Sequence, residues 1–199
     1  MNNKINSLEL KRKLMHIVLG ILGFFLILHN ILTTQIIFII LILGIFLSLI
    51  CIKIKVPIIS FFLDNFERKT EKQLPARGII FATVGSLLVL QLFPRDIALA
   101  SILILIFADP ISHLVGKVFG KTKSPLDSRK NIEGHIAGAL LSSLLAIFFV
   151  NPILALSGAL IAMLFESLII EIQKIELDDN LIIPLVAGTI MYALRIWIL

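Results

Sequence analysis

Long apolar runs recur along this chain with only short polar connections between them. Each run is near the roughly 20 residues a helix needs to cross the hydrocarbon of a bilayer. The pattern predicts seven spans, near 13–30, 34–52, 77–93, 96–118, 135–150, 152–172 and 181–198, the third and fifth being short. Hydrophobic residues make up 58% of the 199, against roughly 45–50% in a soluble domain. The expectation is an all-α integral membrane protein forming one polytopic domain over residues 1–199. The start has the charge pattern of a signal peptide, but no small-residue cleavage site follows, so it reads as a retained first helix. The single cysteine, Cys51, excludes an internal disulfide.

Charge placement predicts the orientation. With the N-terminus inside, all of the 18 basic residues except Arg95 and Arg195 fall in cytoplasmic segments. These include Lys4, Lys11, Arg12 and Lys13, then Lys53, Lys55, Arg68, Lys69, Lys72 and Arg77, then Lys117, Lys121, Lys123, Arg129 and Lys130, with Lys174 alone. That asymmetry points to a cytoplasmic N-terminus and an external C-terminus. Of the 13 acids, only Asp96 stands outside. Polar chemistry is thus confined to one face, which argues against a transporter needing polar groups along its whole route.

Residues 56–72 are too short to span. Apolar positions 58, 59, 62, 63 and 66 recur at helical spacing, which predicts an amphipathic helix on the inner surface or a solvated connector. Asp96 is positioned to cap the fourth span, Asn151-Pro152 to open the sixth, and Asp179 or Asn180 to cap the seventh. Asp109-Pro110 has the same cap-then-proline order inside a span, which predicts a helix interrupted there.

Four constellations carry candidate chemistry. An ionisable group at membrane depth marks a functional site by default, and Asp109 is such a group. It shares a helical face with Ser112, His113, Gly116 and Gly120. The Gly116-x-x-x-Gly120 spacing also serves close helix packing. Lys117 and Lys121 flank these glycines. Leading into the first span, Glu9, Arg12, Lys13 and His16 share a face: cations for phosphate, or an ordinary positive anchor. A third group, Arg129-Lys130-Asn131-Ile132-Glu133-Gly134-His135, has a lysine, a carboxylate and a glycine near a helix start, suited to phosphate and metal contact or simply a solvated loop. Glu166 lies near the inner end of the sixth span, and Asp178-Asp179-Asn180 opens the seventh. Neighbouring carboxylates at a helix mouth suit Mg²⁺, a hard cation, while capping is the simpler use. Gly116 to Thr122 reads one residue short of a phosphate-binding loop. Val115 stands where its first glycine belongs and no strand precedes it, so that fold is excluded.

Taken in order, these segments resemble the CTP-dependent lipid kinases: dolichol or polyprenol kinase, phytol kinase and the CTP-using diacylglycerol kinase. The matching residues are Glu9-Leu-Lys-Arg12-Lys13-Leu-Met-His16, Asp109-Pro110 with Gly116 and Gly120, Lys130-Asn-Ile-Glu133-Gly134, and Glu166 followed by Asp179-Asn180-Leu181-Ile-Ile-Pro184-Leu. Asn131 and His135 stand where the kinases usually carry hydroxyl residues. More distantly, the chain is similar to the membrane cytidylyltransferases that make CDP-lipids. The resemblance implies transfer of the γ-phosphate of CTP to a long-chain lipid alcohol at the cytoplasmic face. It implies Mg²⁺ on Asp109 with Asp179, Asn180 or Glu133, and phosphate neutralised by Arg12, Lys13 and Lys130. Gly116 and Gly134 would allow close backbone approach, and Asp109 or Glu166 would take the alcohol proton. The implied partners are CTP, a lipid alcohol and the membrane, with no nucleic acid. A CDP-lipid synthase and a non-catalytic lipid-phosphate transporter or binding protein are the alternatives.

Overall fold

A computed structural model of the chain describes residues 7–54, 56–66, 75–128, 130–168, 171–172, 175–176 and 178–198. Lys4, Lys55, Arg68, Lys69, Lys72, Arg129 and Lys174, used above for orientation, lie outside them, as does the end of the proposed amphipathic segment beyond Phe66. Among the described residues eight helices follow in order: α1 (Ser7–Leu28), α2 (Thr34–Lys53), α3 (Pro57–Phe66), α4 (Arg77–Leu92), α5 (Arg95–Phe119), α6 (Ile132–Ala146), α7 (Pro152–Glu166) and α8 (Asp179–Ile198). The departure from an all-α expectation is a minimal antiparallel pair, β1 (Glu171–Ile172) with β2 (Ile175–Glu176).

Among the described residues three helices are long and apolar enough to cross a membrane: α2, α5 and α8. α4, α6 and α7 are shorter apolar helices. α7 stops at Glu166, short of the expected 172, because the chain there turns its carboxylate to polar partners and caps on Ser167.

α5 is the axis of the bundle. Of its apolar window 72% is buried, against 17% in α2 and 33% in α8. It packs against α1, α4, α6, α7 and α8. Between apolar helices there is little hydrophobic drive, so close van der Waals packing through small residues must hold them. The core fits that requirement: Ala100, Ala108, Ala139, Ala146, Ala155, Ala159, Ala162 and Ala187 are fully buried in one cluster. At the α5/α6 crossing the approach is closer still. A Cβ on Gly134 would run into the Ser112 carbonyl, and one on Gly138 into that of Ala108.

Several local expectations need correction. α5 is one continuous helix with Pro110 inside it, so Asp109 is a mid-helix residue and not a cap. Neighbouring helices hold this segment: the His16 ring lies 3.3 Å from the Leu105 carbonyl one turn earlier. Asp96 sits within the first turn of α5, not at its cap, and its carboxylate pairs with Arg195 at 2.6 Å. At α8 the capping oxygen belongs to Asp178, which accepts the Asn180 N–H at 3.1 Å. Asn151 does cap α7, its side chain accepting the Ile153 N–H at 2.9 Å with Pro152 next. The amphipathic segment is helical over Pro57–Phe66.

Candidate active site

α1 begins with a polar turn before its apolar stretch, and positions 9, 12/13 and 16 fall on one side of it. Lys13 reaches across to α5, where its Nζ lies 2.6 Å from Asp109 Oδ2. Arg12 pairs with Glu9 at 3.2 Å, and the other Glu9 oxygen lies 3.7 Å from the His113 ring. The second and first constellations therefore form one face-to-face contact between α1 and α5.

The loop between α5 and α6 is folded back on itself. Ile132 N–H donates to the Thr122 carbonyl at 3.1 Å, and Ser124 N–H to the Lys130 carbonyl at 3.0 Å. The Asn131 amide donates to the Gly116 carbonyl at 2.7 Å, tying the loop to the end of α5. Lys130 is thereby aimed at α7, where its ammonium pairs with the Glu166 carboxylate and donates to the Glu166 carbonyl at 2.6 Å. It also lies 3.8 Å from Asp179. Burial works against the Lys130 charge, but the Glu166 and Asp179 carboxylates outweigh it and hold its pKa above the ordinary lysine value.

Three carboxylates from three helices meet here. One oxygen from each of Asp109, Glu166 and Asp179 lies within 4.8 Å of the other two. The cluster is graded: the Glu166 side chain is 3% exposed and that of Asp179 41%. Lys13 and Lys130 flank the group, so three acids and two bases share a small volume. Like charges this close repel unless cations compensate them. A donor set of hard oxygens from converging helices suits a divalent cation such as Mg²⁺.

Other candidates lie elsewhere. Glu133 turns to the loop, its Oε1 accepting the Thr122 N–H at 2.9 Å, and is not among the three converging carboxylates. The Asn180 amide donates to Asp178 at 2.8 Å, and Asp178 also meets Arg77 of α4 at 3.2 Å. Burial raises the Asp178 pKa, with its hydrogen bonds from Asn180 and the Arg77 charge opposing. Lys117 and Lys121 are exposed. Gly116 and Gly134 face each other across the α5/α6 seam: a Cβ on Gly116 would lie 3.6 Å from Gly134 Cα. Gly120 is also enclosed, by the Gly116 carbonyl and the Asn131 amide.

His135 and Ser167 belong to the cluster without having been chosen as site residues. Each ring nitrogen of His135 meets oxygen: Nδ1 the Asn131 carbonyl at 2.9 Å, Nε2 Glu166 Oε2 at 2.8 Å and Ser167 Oγ at 2.9 Å. The position of His135 beside Glu133-Gly134 was the available signal. Ser167 and Arg77 offered none, since the contacts of Ser167 with His135 and of Arg77 with Asp178 join residues far apart in sequence.

An apolar cavity of about 380 Å³ opens from this cluster. Arg12, Lys13, His16, Asp109 and Asn180 line its polar end, and Phe24, Ile27 and Ile37 its far end. α1, α2, α4 and α5 wall it, and Phe62, Leu63 and Phe66 of α3 face it. Among the described residues Asp109 alone belongs to both the cavity lining and the carboxylate trio.

Fold and site together define a helical, membrane-type protein with an acid–base cluster at the head of an apolar cavity. The chain is 31% identical over 186 residues to an uncharacterized protein of Rickettsia prowazekii, RP860, covering 89% of this chain and 90% of that one, and it belongs to the same family. It is 29% identical over 188 residues to the uncharacterized protein MJ1137 of Methanocaldococcus jannaschii, covering 92% of each. It is also 27% identical over 143 residues to CTP-dependent diacylglycerol kinase 1 of Schizosaccharomyces pombe. That match covers 63% of this chain and 63% of the yeast protein, and it supports the CTP-dependent lipid kinases as the wider group. No protein-family model matches the chain, and no solved structure does.

Proposed function

We propose that the protein is a CTP-dependent kinase that phosphorylates a long-chain lipid alcohol, of the dolichol, polyprenol or phytol type, at the cytoplasmic face of a membrane. In this reading the chain crosses seven times, N-terminus inside and C-terminus outside. The observation that carries the proposal is the position of Asp109, shared between a carboxylate cluster and an apolar cavity. A lipid kinase must present phosphates in water to a hydroxyl whose chain stays in hydrocarbon. The likeness to a CTP-dependent diacylglycerol kinase supplies the choice of donor.

Phosphoryl transfer needs positioning and charge neutralisation more than covalent help. Asp109, Glu166 and Asp179 would hold Mg²⁺, and bound there it would neutralise phosphate oxygens of CTP. Lys13 and Lys130, already facing these carboxylates, exchange part of that pairing for the phosphates, with Arg12 beside them. The alcohol hydroxyl enters from the cavity and, in the arrangement where Glu166 and Asp179 alone hold Mg²⁺, passes its proton to Asp109 as its oxygen bonds the γ-phosphorus. The bond from that phosphorus to the bridging oxygen breaks, and CDP leaves. Glu166 keeps Lys130 and His135 in place from below.

The test is incubation of purified protein with Mg²⁺, labelled CTP and a panel of lipid acceptors that includes long-chain alcohols, diacylglycerol and phosphatidate. The expected products are CDP and a lipid monophosphate. Pyrophosphate with a CDP-lipid identifies a cytidylyltransferase instead, and binding of lipid phosphate without turnover identifies a transporter or binding protein. Either result overturns the kinase.

A further inference from the structure

The cavity has a direction, a wall of small side chains and a closed end, and these features bear on which chain it takes. α1 presents Lys13, His16, Gly20, Gly23 and Ile27 to it along one stripe. At 1.5 Å per residue, Gly23 lies about 15 Å along α1 from Lys13, and Ile27 about 21 Å. Half the hydrocarbon thickness is about 15 Å, so Gly23 stands near the depth of the bilayer midplane. The facing wall on α4 includes Gly78, Ala82 and Ser86, one small residue per turn, with Ile79 and Thr83 beside them. Beyond Gly23 the cavity closes on Phe24, Ile27 and Ile37, which are buried in one cluster with Ile102 and Ile106.

The two glycines of α1 do different work. A Cβ on Gly20 would come within 2.7 Å of Ile106, so this residue allows α1 to lie against α5. A Cβ on Gly23 would meet nothing within 4 Å, although the residue lines the cavity. Its missing side chain leaves open space in the cavity and relieves no helix contact.

The geometry points to Gly23 as the residue that sets acceptor chain length: one hydrocarbon chain of a lipid alcohol lies between α1 and α4 with its hydroxyl at Asp109, and Gly23 keeps the deep half open to it. The inference rests on the kinase reading for the identity of the head group. Three features favour a lipid chain: the walls are mostly apolar, the charged lining (Arg12, Lys13 and Asp109) sits at one end, and that end joins the carboxylate cluster. Chains ending before Ile27 are sheltered throughout, and longer ones must bend out toward lipid.

The experiment compares the full-length wild type with Gly23→Leu, Ser86→Leu on the opposite wall, and Leu22→Phe on the exposed face of the same helix. Each is assayed with CTP and farnesol, geranylgeraniol or a long polyprenol. The ratio of kcat/KM for long over short acceptors should fall about tenfold in Gly23→Leu and move the same way in Ser86→Leu, the size expected when a pocket loses room for a small apolar group. Leu22→Phe should leave the ratio unchanged. Separately, a farnesol analogue with a diazirine at its terminal carbon is photolysed on each protein without nucleotide, and the adducts are mapped by mass spectrometry. Adducts should lie on the cavity-lining residues Phe24, Ile27, Ile37 and Ile40 in the wild type and shift toward Arg12 in Gly23→Leu. An unchanged ratio in an active Gly23→Leu, an equal shift in Leu22→Phe, or adducts on the outward-facing Val18 and Phe25 would overturn the inference while leaving the kinase intact. The expected adducts with no phosphorylation of any alcohol would remove the kinase reading and leave the groove standing.

Discussion

Lys13 Nζ lies 2.6 Å from Asp109 Oδ2, an ion pair that joins residues 96 positions apart on α1 and α5. It stands at the polar end of the apolar cavity, where one oxygen of the Asp109 carboxylate lies within 4.8 Å of oxygens of Glu166 and Asp179. An exposed pair of this kind contributes little. Here both partners are mostly buried, so replacing either leaves a charge with less water than it needs.

Asp109→Asn should lower phosphoryl transfer by at least about a hundredfold, the loss typical when a preorganised charge at a reacting centre is removed. The variant should still purify from membranes as a monodisperse species. Steady-state assay beside size-exclusion chromatography checks both halves.

Glu166→Ala removes the partner of both Lys130 and His135. Breaking one side of a buried pair costs about 3–5 kcal/mol, and the partial exposure of Lys130 places the expected loss at the lower end. The double change Lys130→Met with Glu166→Met should recover much of it. Thermal unfolding in detergent, followed by circular dichroism, gives the comparison.

The pH dependence of that pair follows from the raised Lys130 pKa. A lysine held above its unfolded value contributes stability that is complete below the unfolded pKa, near 10.5, and lost as pH rises through the folded value. The gap between wild type and Lys130→Met should therefore stay constant from neutral pH to about pH 9 and narrow only above about 10.5. A gap that closes near neutrality would show that Glu166 does not hold the ammonium.

Gly134→Ala and Gly116→Ala separate packing from phosphate approach. The first places a methyl against the Ser112 carbonyl and should destabilise by about 1–3 kcal/mol. The second meets its nearest atoms at 3.6 Å and should fold normally. If Gly116→Ala is stable but inactive, that glycine serves the ligand; the expectation is near-normal activity. Melting curves and turnover on the same preparations decide.

Chelation of Mg²⁺ should abolish turnover, and Mg²⁺ alone should restore it. Asp179→Asn should raise the Mg²⁺ concentration needed for half-maximal rate about tenfold while Glu133→Gln leaves it unaltered. Titration of activity against free Mg²⁺ in the three proteins tests whether the converging carboxylates are the ones that matter.

The seven apolar runs correspond to seven of the helices, with α7 shorter than its run, because hydropathy and helix length are local properties that any 20-residue window carries. Asp109 was conspicuous for the same reason: a carboxylate in such a window has no local partner. The convergence of Lys13, Lys130 and Glu166 on it was implied by the family resemblance and by no local pattern, because it depends on how α1, α6 and α7 pack around α5. Glu133 and Glu166 look equivalent in the sequence. The pairing of Thr122 with Ile132 turns the first to a loop amide, while the packing of α7 brings the second to the cluster. Likewise Gly20 and Gly23 are two glycines three apart on one helix, and only the nearness of Ile106 makes the first a packing contact and the second open space. Chain chemistry alone determined a membrane-type helical protein with its polar groups gathered at one end. The tertiary structure decided which of those groups meet, since a contact between helices depends on their crossing and rotation, and no single window of residues encodes either.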